Sequence, residues 1–251
     1  LAEPVRQAMA MPSYEFARLK GLSDARALWR HADRTRYDVG EMPDWKALML
    51  KVPRRTPREL DARQEEPALF EALADDAFDA VAFLLESGWR RNEVINLRWS
   101  DCNLPRMEAA TRIKGGDQVT RPLTSSLVAI IANQPKVGPY VFTYVCRKSR
   151  AKRRAGQRYK LTETVLRQRF AEAKAAAGVE AFRLHDLRHT AGTRILRATQ
   201  NLAVVKEALQ HRHISTTLRY AHVLADDVRQ ALDAGKSRNI PEQRATRRAK
   251  P

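Results

Sequence analysis

Apolar side chains recur at helical spacing through most of the chain. Between residues 65 and 99 they fall at Leu69, Leu73, Phe78, Val81, Ala82, Leu84 and Leu85. Spacings of three and four residues are typical of helices that bury one face. Gly88 then predicts a C-cap, because glycine readily adopts the left-handed conformation that ends many helices. A second helix is predicted over residues 91–97.

The same pattern predicts further helices on both sides of this segment. They are expected at residues 14–20, 23–37, 162–178, 185–198, 202–210 and 216–234. Thr162 is expected to begin one of them, and Ser215 with Thr216 another. A side-chain hydroxyl at these positions can accept a hydrogen bond from the first turn of the helix.

Residues 107–124 carry β-branched side chains on both sides of Gly115-Gly116. Two glycines between such runs predict a β-hairpin, and Pro122 fits the end or the edge of a strand. Residues 140–145 predict one more short strand. The expected fold class is therefore α+β, mainly helical with a small antiparallel β-sheet.

Composition divides the chain into three parts. Residues 51–60 hold two prolines and four basic residues, which predicts a linker. Residues 1–57 are expected to form a helical domain that includes this linker, and residues 58–235 the main domain. Residues 236–251 are basic and lack apolar periodicity, which predicts a flexible tail.

A formal net charge of +17 and a pI near 10.4 bear on the partners of the chain. Such a charge predicts a polyanion partner bound through phosphate neutralisation, and a generally basic protein of the ribosome or a membrane surface is the alternative. Residues 147–160 hold eight basic residues and no acidic one, which is typical of a solvated loop. Two distant cysteines and the lack of an 18-residue apolar run predict no disulfide scaffold, no membrane span and a reducing cytoplasm.

Three segments carry side chains that suit chemistry on an anion. They are "SGWRRNEVINLRWSD" with Arg90 and Glu93, "HDLRHT" with His185 and Arg188, and "LQHRHISTTLRYAHV" with His211 and Tyr220. Alone, each has an ordinary explanation, such as a surface ion pair or a packed histidine. Lys114, near the expected hairpin tip, would ordinarily be a solvated lysine. The histidines of the third segment match no zinc spacing, so no metal site is predicted.

Taken together, these residue types fit the cleavage of a phosphodiester. Two arginines can hold the negative charge of a phosphoryl transition state through bidentate hydrogen bonds. A lysine or a histidine can protonate the leaving oxygen. A tyrosine can act as the nucleophile and conserve the bond energy in a covalent link.

The order of the segments resembles the tyrosine recombinases of the phage integrase family. The first segment is similar to the family's Thr-Gly-x-Arg-x-x-Glu box with its following Leu-x-Trp-x-Asp, and the second to its His-x-x-Arg-His box. The third resembles the final Leu-Gly-His box, with nine residues from the histidine to the tyrosine. The resemblance covers residues 58–235. Gln210 stands where the family has glycine, and Trp89 where a smaller apolar residue is common.

This resemblance implies the catalytic-core fold of that family and a site-specific DNA recombinase or integrase. Arg90 and Arg188 would clamp the scissile phosphate, although the adjacent Arg91 leaves a register shifted by one residue open. Lys114 would protonate the departing 5′ oxygen.

The remaining matched residues would complete the reaction. His185 would serve as acid and base, and His211 would hydrogen-bond the phosphate. Tyr220 would attack and form a 3′-phosphotyrosyl link. Glu93 would orient the arginine helix, while for His189 packing and contact with DNA are equally open.

The resemblance also implies the partners and the domains. The partner would be double-stranded DNA that carries attachment or recombination sites, bound by a homotetramer, with accessory DNA-bending or directionality proteins and with no cofactor. Residues 1–57 would be the C-terminal part of a core-binding domain, and residues 58–235 the catalytic domain. The basic block is richer than the family requires, and a solvated loop and contact with the DNA backbone are equally open for it; the candidate DNA-contacting residues are Arg147, Lys148, Arg150, Lys152, Arg153 and Arg154.

Two other functions remain compatible with the sequence. A non-catalytic DNA-binding protein on the same scaffold is expected to lack one of the six chemical groups, and all six are present. A type IB topoisomerase shares the chemistry but relaxes DNA with no preferred site. The full set of boxes and the small size of the chain favour the recombinase.

Overall fold

The computed structural model describes residues 14–48, 57–112, 118–149 and 152–224. Contacts divide the chain into two compact units, Leu1–Thr56 and Pro57–Pro251. In the part of the chain that is described, no helix is both long and apolar enough to cross a membrane.

Several expected features lie outside the described residues. They are the linker up to residue 56, the hairpin tip with Lys114, Arg150 of the basic block, residues 225–234 of the last predicted helix, and the tail at residues 236–251.

The first unit contains one long helix where the sequence predicted two. Helix α1 spans Tyr14–Arg34, and the short helix α2 spans Trp45–Leu48. Gly21 lies inside α1, because a single glycine costs a helix only about 1 kcal/mol and does not end it. Trp29 and Trp45 pack edge to face with their ring centroids 6.4 Å apart.

The second unit is mainly helical, which confirms the predicted fold class. Its α-helices are α3 Glu65–Ala72, α4 Asp75–Ser87, α5 Arg91–Ile95, α6 Ser125–Ala132, α7 Glu163–Ala176, α8 Asp186–Thr199, α9 Leu202–Ala208 and α10 Ile214–Thr217. Two segments are 3-10 helices, Trp99–Asp101 and Leu218–Leu224.

Two small antiparallel sheets complete this unit. The strands are β1 Cys102–Asn103, β2 Glu108–Arg112, β3 Gln118–Pro122, β4 Thr143–Val145 and β5 Arg158–Lys160. The first sheet has the order β1-β2-β3, and β4 pairs with β5 in the second. The predicted hairpin strands are confirmed, with Glu108 opposite Pro122 and Arg112 opposite Gln118. Pro122 ends the edge strand β3, as expected.

The second sheet corrects the prediction of a loop through the whole basic block. Its last three residues form β5, which pairs with β4. The tyrosine rings of Tyr144 and Tyr159 pack 6.2 Å apart across the two strands. Cross-strand aromatic contacts of this kind stabilise strand pairing. The strand predicted at residues 140–145 is shorter than expected and begins at Thr143.

Helix α4 lies at the centre of the unit and packs against α5, α6, α7, α8 and β4. Its buried face contains Val81, Leu84 and Leu85, as the spacing predicted. Phe78 was also expected on this face but is 42% exposed, and its ring packs on Phe70 at 5.2 Å.

The predicted ends of the helices hold where a cap or a glycine fixes them. Gly88 ends α4 with φ of 62°. Thr162 begins α7 by accepting a hydrogen bond from the N–H of Val165. The predicted start of the last helix is wrong, because the N-cap residue of α10 is His213, which precedes Ser215 and Thr216. The helix then continues as a 3-10 helix.

Candidate active site

The turn that ends helix α9 organises the candidate site. Gln210 adopts the left-handed conformation with φ of 49°. The N–H of His211 donates to the carbonyl of Lys206 at 3.0 Å, and the N–H of Gln210 donates to the carbonyl of Glu207 at 3.0 Å. This pattern is a Schellman motif, in which the chain reverses and the last carbonyls of the helix lack partners within the helix.

Arginines supply partners for three successive carbonyls, those of residues 208–210, which we call the carbonyl turn. Arg121 from β3 donates to the first carbonyl, that of Ala208. Arg188 from α8 donates to the second, that of Leu209. Arg90 donates to the third at 3.0 Å. Cations are favoured here because the C-terminal end of a helix carries partial negative charge.

A single buried carboxylate lies between two of these arginines. Glu93 Oε1 accepts from the Arg90 guanidinium at 2.8 Å, and Oε2 accepts from the Arg90 backbone N–H at 2.9 Å. The same Oε2 accepts from Arg121 at 3.0 Å. Both carboxylate oxygens are therefore occupied, and Glu93 fixes Arg90 at the start of α5.

Arg188 is buried, and its guanidinium donates to two main-chain carbonyls. One nitrogen of its guanidinium donates to the Gly88 carbonyl at 2.6 Å, and another donates to Leu209. Desolvation and the neighbouring Arg90 lower the pKa of Arg188 to about 10, so it is charged at neutral pH. Both of these partners are carbonyls, which the C-terminal ends of two helices provide.

A cavity of about 360 Å³ opens beside these groups. Arg90, Arg188 and His185 all line it, together with Arg91 and Asn92. Arg91 forms an ion pair with Glu163 at 2.9 Å, which supports Arg90 as the arginine that matches the box. His185 is exposed, and desolvation of its ring together with the charge of Arg188 lowers its pKa.

His211 follows the carbonyl turn directly and is oriented by a hydroxyl. Its Nδ1 lies 2.9 Å from Thr217 Oγ1. Desolvation and then the charge of Arg188 lower the pKa of His211 to about 4, so the imidazole is neutral at neutral pH. If the Thr217 hydroxyl donates to Nδ1, the ring proton lies on Nε2.

Tyr220 packs behind these groups and is only 2% exposed. Its ring stacks on His189 at 5.0 Å between centroids and lies 6.4 Å from the ring of His211. A Cβ at Gly192 would lie 2.8 Å from the Tyr220 ring, so glycine permits this close approach. Desolvation raises the pKa of Tyr220, although Arg188 opposes that shift.

The structure thus brings five of the six predicted residues into one neighbourhood, while Lys114 lies outside the described residues. The prediction missed Arg121, whose guanidinium belongs to the same group. The alternation of side chains along a strand could have indicated this residue, because it puts Arg121 on the same face as the apolar Val119 and Leu123. An arginine on an inward face needs a partner.

The described residues of the basic block lie on the β4–β5 connection and in β5. Arg153 donates to the Tyr144 hydroxyl at 2.8 Å, and Arg147 pairs with Glu172 at 2.9 Å. Lys148, Lys152 and Arg154 are exposed. Among the described residues, no group of three or more histidine, cysteine or acidic side chains is arranged to hold a metal ion.

Comparison with known proteins gives consistent matches. A model of the phage integrase family matches residues 62–226. The integrase of Salmonella phage P22 is 28% identical over 219 residues, which cover 80% of this chain and 52% of that protein. The tyrosine recombinase XerA of Pyrococcus furiosus is 27% identical over 191 residues, which cover 73% of this chain and 63% of that protein.

Solved structures share the fold. A lambda integrase dimer bound to a COC′ core site has a TM-score of 0.66 at 15% identity, with 87% of this chain and 77% of that chain covered. The chain spans 52% to 63% of the length of the two curated relatives above.

Proposed function

The chain belongs to the phage integrase family, whose model matches more than half of it, and on this premise we propose that it is a site-specific DNA recombinase. It cleaves and rejoins DNA strands through a 3′-phosphotyrosyl intermediate on Tyr220. Because that ester conserves the energy of the phosphodiester bond, rejoining needs no nucleotide cofactor. The catalytic domain corresponds to residues 58–235, and residues 1–57 to the end of a core-binding domain.

The observation that carries this proposal is that Arg90 and Arg188 both bind the carbonyl turn, which His211 follows directly, and that the ring of Tyr220 lies 6.4 Å from the ring of His211. Both guanidinium groups are fixed by carbonyls before any substrate arrives. Preorganised donors stabilise developing negative charge at little reorganisation cost. Arg90 and Arg188 then bind the non-bridging oxygens of the scissile phosphate, as the cavity between them supports.

The histidines and the lysine take the proton-transfer and hydrogen-bonding roles. Neutral His211 donates its Nε2 proton to a phosphate oxygen, which the Thr217 contact to Nδ1 supports. His185, at the mouth of the same cavity, exchanges protons with the reacting oxygens. Lys114 protonates the departing 5′ oxygen.

DNA is the proposed partner, and the net charge of +17 supports it. The exposed residues Lys148, Lys152 and Arg154 would contact the backbone beside the cleavage site. The working assembly is proposed to be a homotetramer on two duplexes, assisted by accessory DNA-bending or directionality proteins.

Trapping of the covalent intermediate tests the proposal. The protein is incubated with nicked duplexes that carry a randomised core, and denaturing gels are searched for protein–DNA adducts whose DNA is then sequenced. We expect adducts from the wild type with an enriched sequence, and no adduct from Tyr220→Phe, because phenylalanine lacks the attacking oxygen.

The alternatives give different outcomes. DNA binding without any adduct would support a non-catalytic protein. Adducts with no enriched sequence, together with relaxation of any supercoiled plasmid, would support a topoisomerase. An adduct that persists in Tyr220→Phe would show that another residue is the nucleophile.

A further inference from the structure

We propose that Arg121 is a positioning residue for the reaction, and that it acts by neutralising Glu93 so that the charge of Arg90 remains for the phosphate. This inference rests on the proposed function. It adds a residue that none of the three sequence boxes contains. Arg121 lies on strand β3 and reaches the site from the hairpin side.

Three contacts fix Arg121 in place. Its side chain is 3% exposed and donates to Glu93 Oε2 at 3.0 Å and to the Ala208 carbonyl. Its guanidinium also lies over the Trp89 ring, 4.5 Å from the centroid. A guanidinium over an indole face is attracted by the ring quadrupole. Trp89 stands where a smaller apolar residue is common in the family box, and its ring gives Arg121 this contact.

The charges around Glu93 explain why such a residue is useful. Glu93 is bound by both Arg90 and Arg121. Without Arg121, the buried carboxylate would be balanced by Arg90 alone, and the two would form a neutral pair. With Arg121 present, the carboxylate is shared, and Arg90 retains positive charge toward the cavity that it lines with Arg188.

The position of Arg121 also links the hairpin to the carbonyl turn. It joins β3, helix α5 through Glu93, and the end of α9 through Ala208. Arg90 and Arg188 bind the next two carbonyls of the same turn. A shift of the turn would therefore displace both phosphate-binding arginines, and misplacement by about 1 Å can cost on the order of 100-fold in rate.

The test measures two quantities on Arg121→Met: the rate of adduct formation by the bound protein–DNA complex, and the affinity for inorganic phosphate at constant ionic strength. We expect cleavage to slow by roughly 10- to 100-fold and phosphate affinity to fall about tenfold, while the Kd for DNA changes by less than about threefold. Arg121→Lys is expected to recover a large part of both losses, because it keeps the charge.

A charge-compensated variant separates positioning from folding. In Arg121→Met with Glu93→Gln, no buried carboxylate remains to neutralise Arg90, and we expect faster cleavage than in Arg121→Met alone. Arg169→Met is the matched control, because Arg169 is a similarly buried arginine paired with Asp76 at 3.1 Å away from the site. Its folded fraction should cleave and bind phosphate like the wild type.

The outcomes distinguish the two proposals. If the wild type cleaves and folded Arg121→Met cleaves equally fast, the role of Arg121 is wrong. If the double variant is no faster than Arg121→Met, charge balance is not its mechanism. If no DNA is cleaved by the wild type but Arg121→Met still weakens phosphate binding, the positioning role stands and the proposed function fails.

Discussion

The second unit contains two buried groups in which arginines bind a carboxylate. One of them joins elements of the scaffold, and the other lies in the candidate site. In the scaffold, Arg169 on α7 binds both oxygens of Asp76 on α4, at 3.1 and 3.2 Å. Asp76 also accepts from the N–H of Val145, so the pair joins two helices and strand β4. One cation meets one buried anion.

In the candidate site, buried cations outnumber buried anions. Arg90 and Arg121 both bind a single carboxylate, that of Glu93, and Arg90, Arg121 and Arg188 each also donate to a carbonyl of the chain. Desolvation, and then the charge of neighbouring arginines, lowers the pKa of both Arg121 and Arg188 to about 10, and both remain charged at neutral pH. Within the described residues, the three guanidinium groups therefore carry more positive charge than Glu93 neutralises, and a bound phosphate would supply negative charge to balance it.

The largest expected effect tests the scaffold side of the comparison. Arg169→Met removes the cation that binds Asp76 and should lower the free energy of unfolding by about 3–5 kcal/mol, because a buried carboxylate is left uncompensated. Arg121→Met should cost less, since Arg90 still binds Glu93. Urea denaturation followed by circular dichroism measures both values.

The control is Arg167→Met on the same helix. Arg167 is 68% exposed and pairs with Glu163 at 3.7 Å, so its loss should change stability by less than about 0.5 kcal/mol. Equal losses from Arg169→Met and Arg121→Met would mean that the two groups are energetically alike, and the comparison would fail.

The sequence predicted residues that lie within the family boxes, and it missed Arg121, which lies outside them. Arg90, Arg188, His211 and Tyr220 were identified because their segments resemble the boxes of the family. Arg121 could not be found by the boxes, because its partners are Glu93, far back in the chain, and a carbonyl that any residue could provide. Carbonyls carry no signature in the sequence.

The fold was predictable where local signals decide it and not where tertiary contacts do. Gly88 and Thr162 set helix ends that the structure confirms. The helix predicted at residues 216–234 begins earlier, and its described part, which ends at residue 224, tightens into a 3-10 helix around the buried ring of Tyr220. Packing of that ring against Gly192 involves residues far apart in sequence, which periodicity does not report.

A titration of His211 measures the uncompensated charge of the site directly. Its pKa of about 4 lies below the value of an unfolded histidine, about 6.5, so the unfolded chain binds the proton first as the pH falls. This contribution to stability is present above pH 6.5 and is lost toward pH 4. Between pH 7 and pH 5 the loss should be about 2 kcal/mol.

Urea denaturation at a series of pH values measures that loss, with His211→Gln and His213→Gln compared in parallel. His211→Gln should remove this component of the pH dependence, whereas His213→Gln, at an exposed position two residues along, should retain it. Arg188→Met should reduce it, because Arg188 is the charge that contributes most to the shift after desolvation. A pH dependence that is unchanged in Arg188→Met would argue against an excess of positive charge at the site.

The smallest expected effect concerns the backbone of the carbonyl turn. Gln210 adopts φ of 49° at the position where the family has glycine, and Gln200 adopts φ of 50° at the end of α8, away from the turn. A left-handed conformation strains a residue that has a Cβ, so Gln200→Gly and Gln210→Gly should each raise the free energy of unfolding by about 0.5–1 kcal/mol. The Gln210 side chain also donates to Glu207 at 2.9 Å, so the stability gained in Gln210→Gly should be the smaller of the two.

Thermal unfolding measures both gains in stability. Cleavage should stay within about threefold of the wild type in both variants, because glycine keeps the carbonyls of the turn in place. A loss of stability in Gln210→Gly alone would mean that the side-chain bonds to Glu207, and not the backbone conformation, hold the arginines in register.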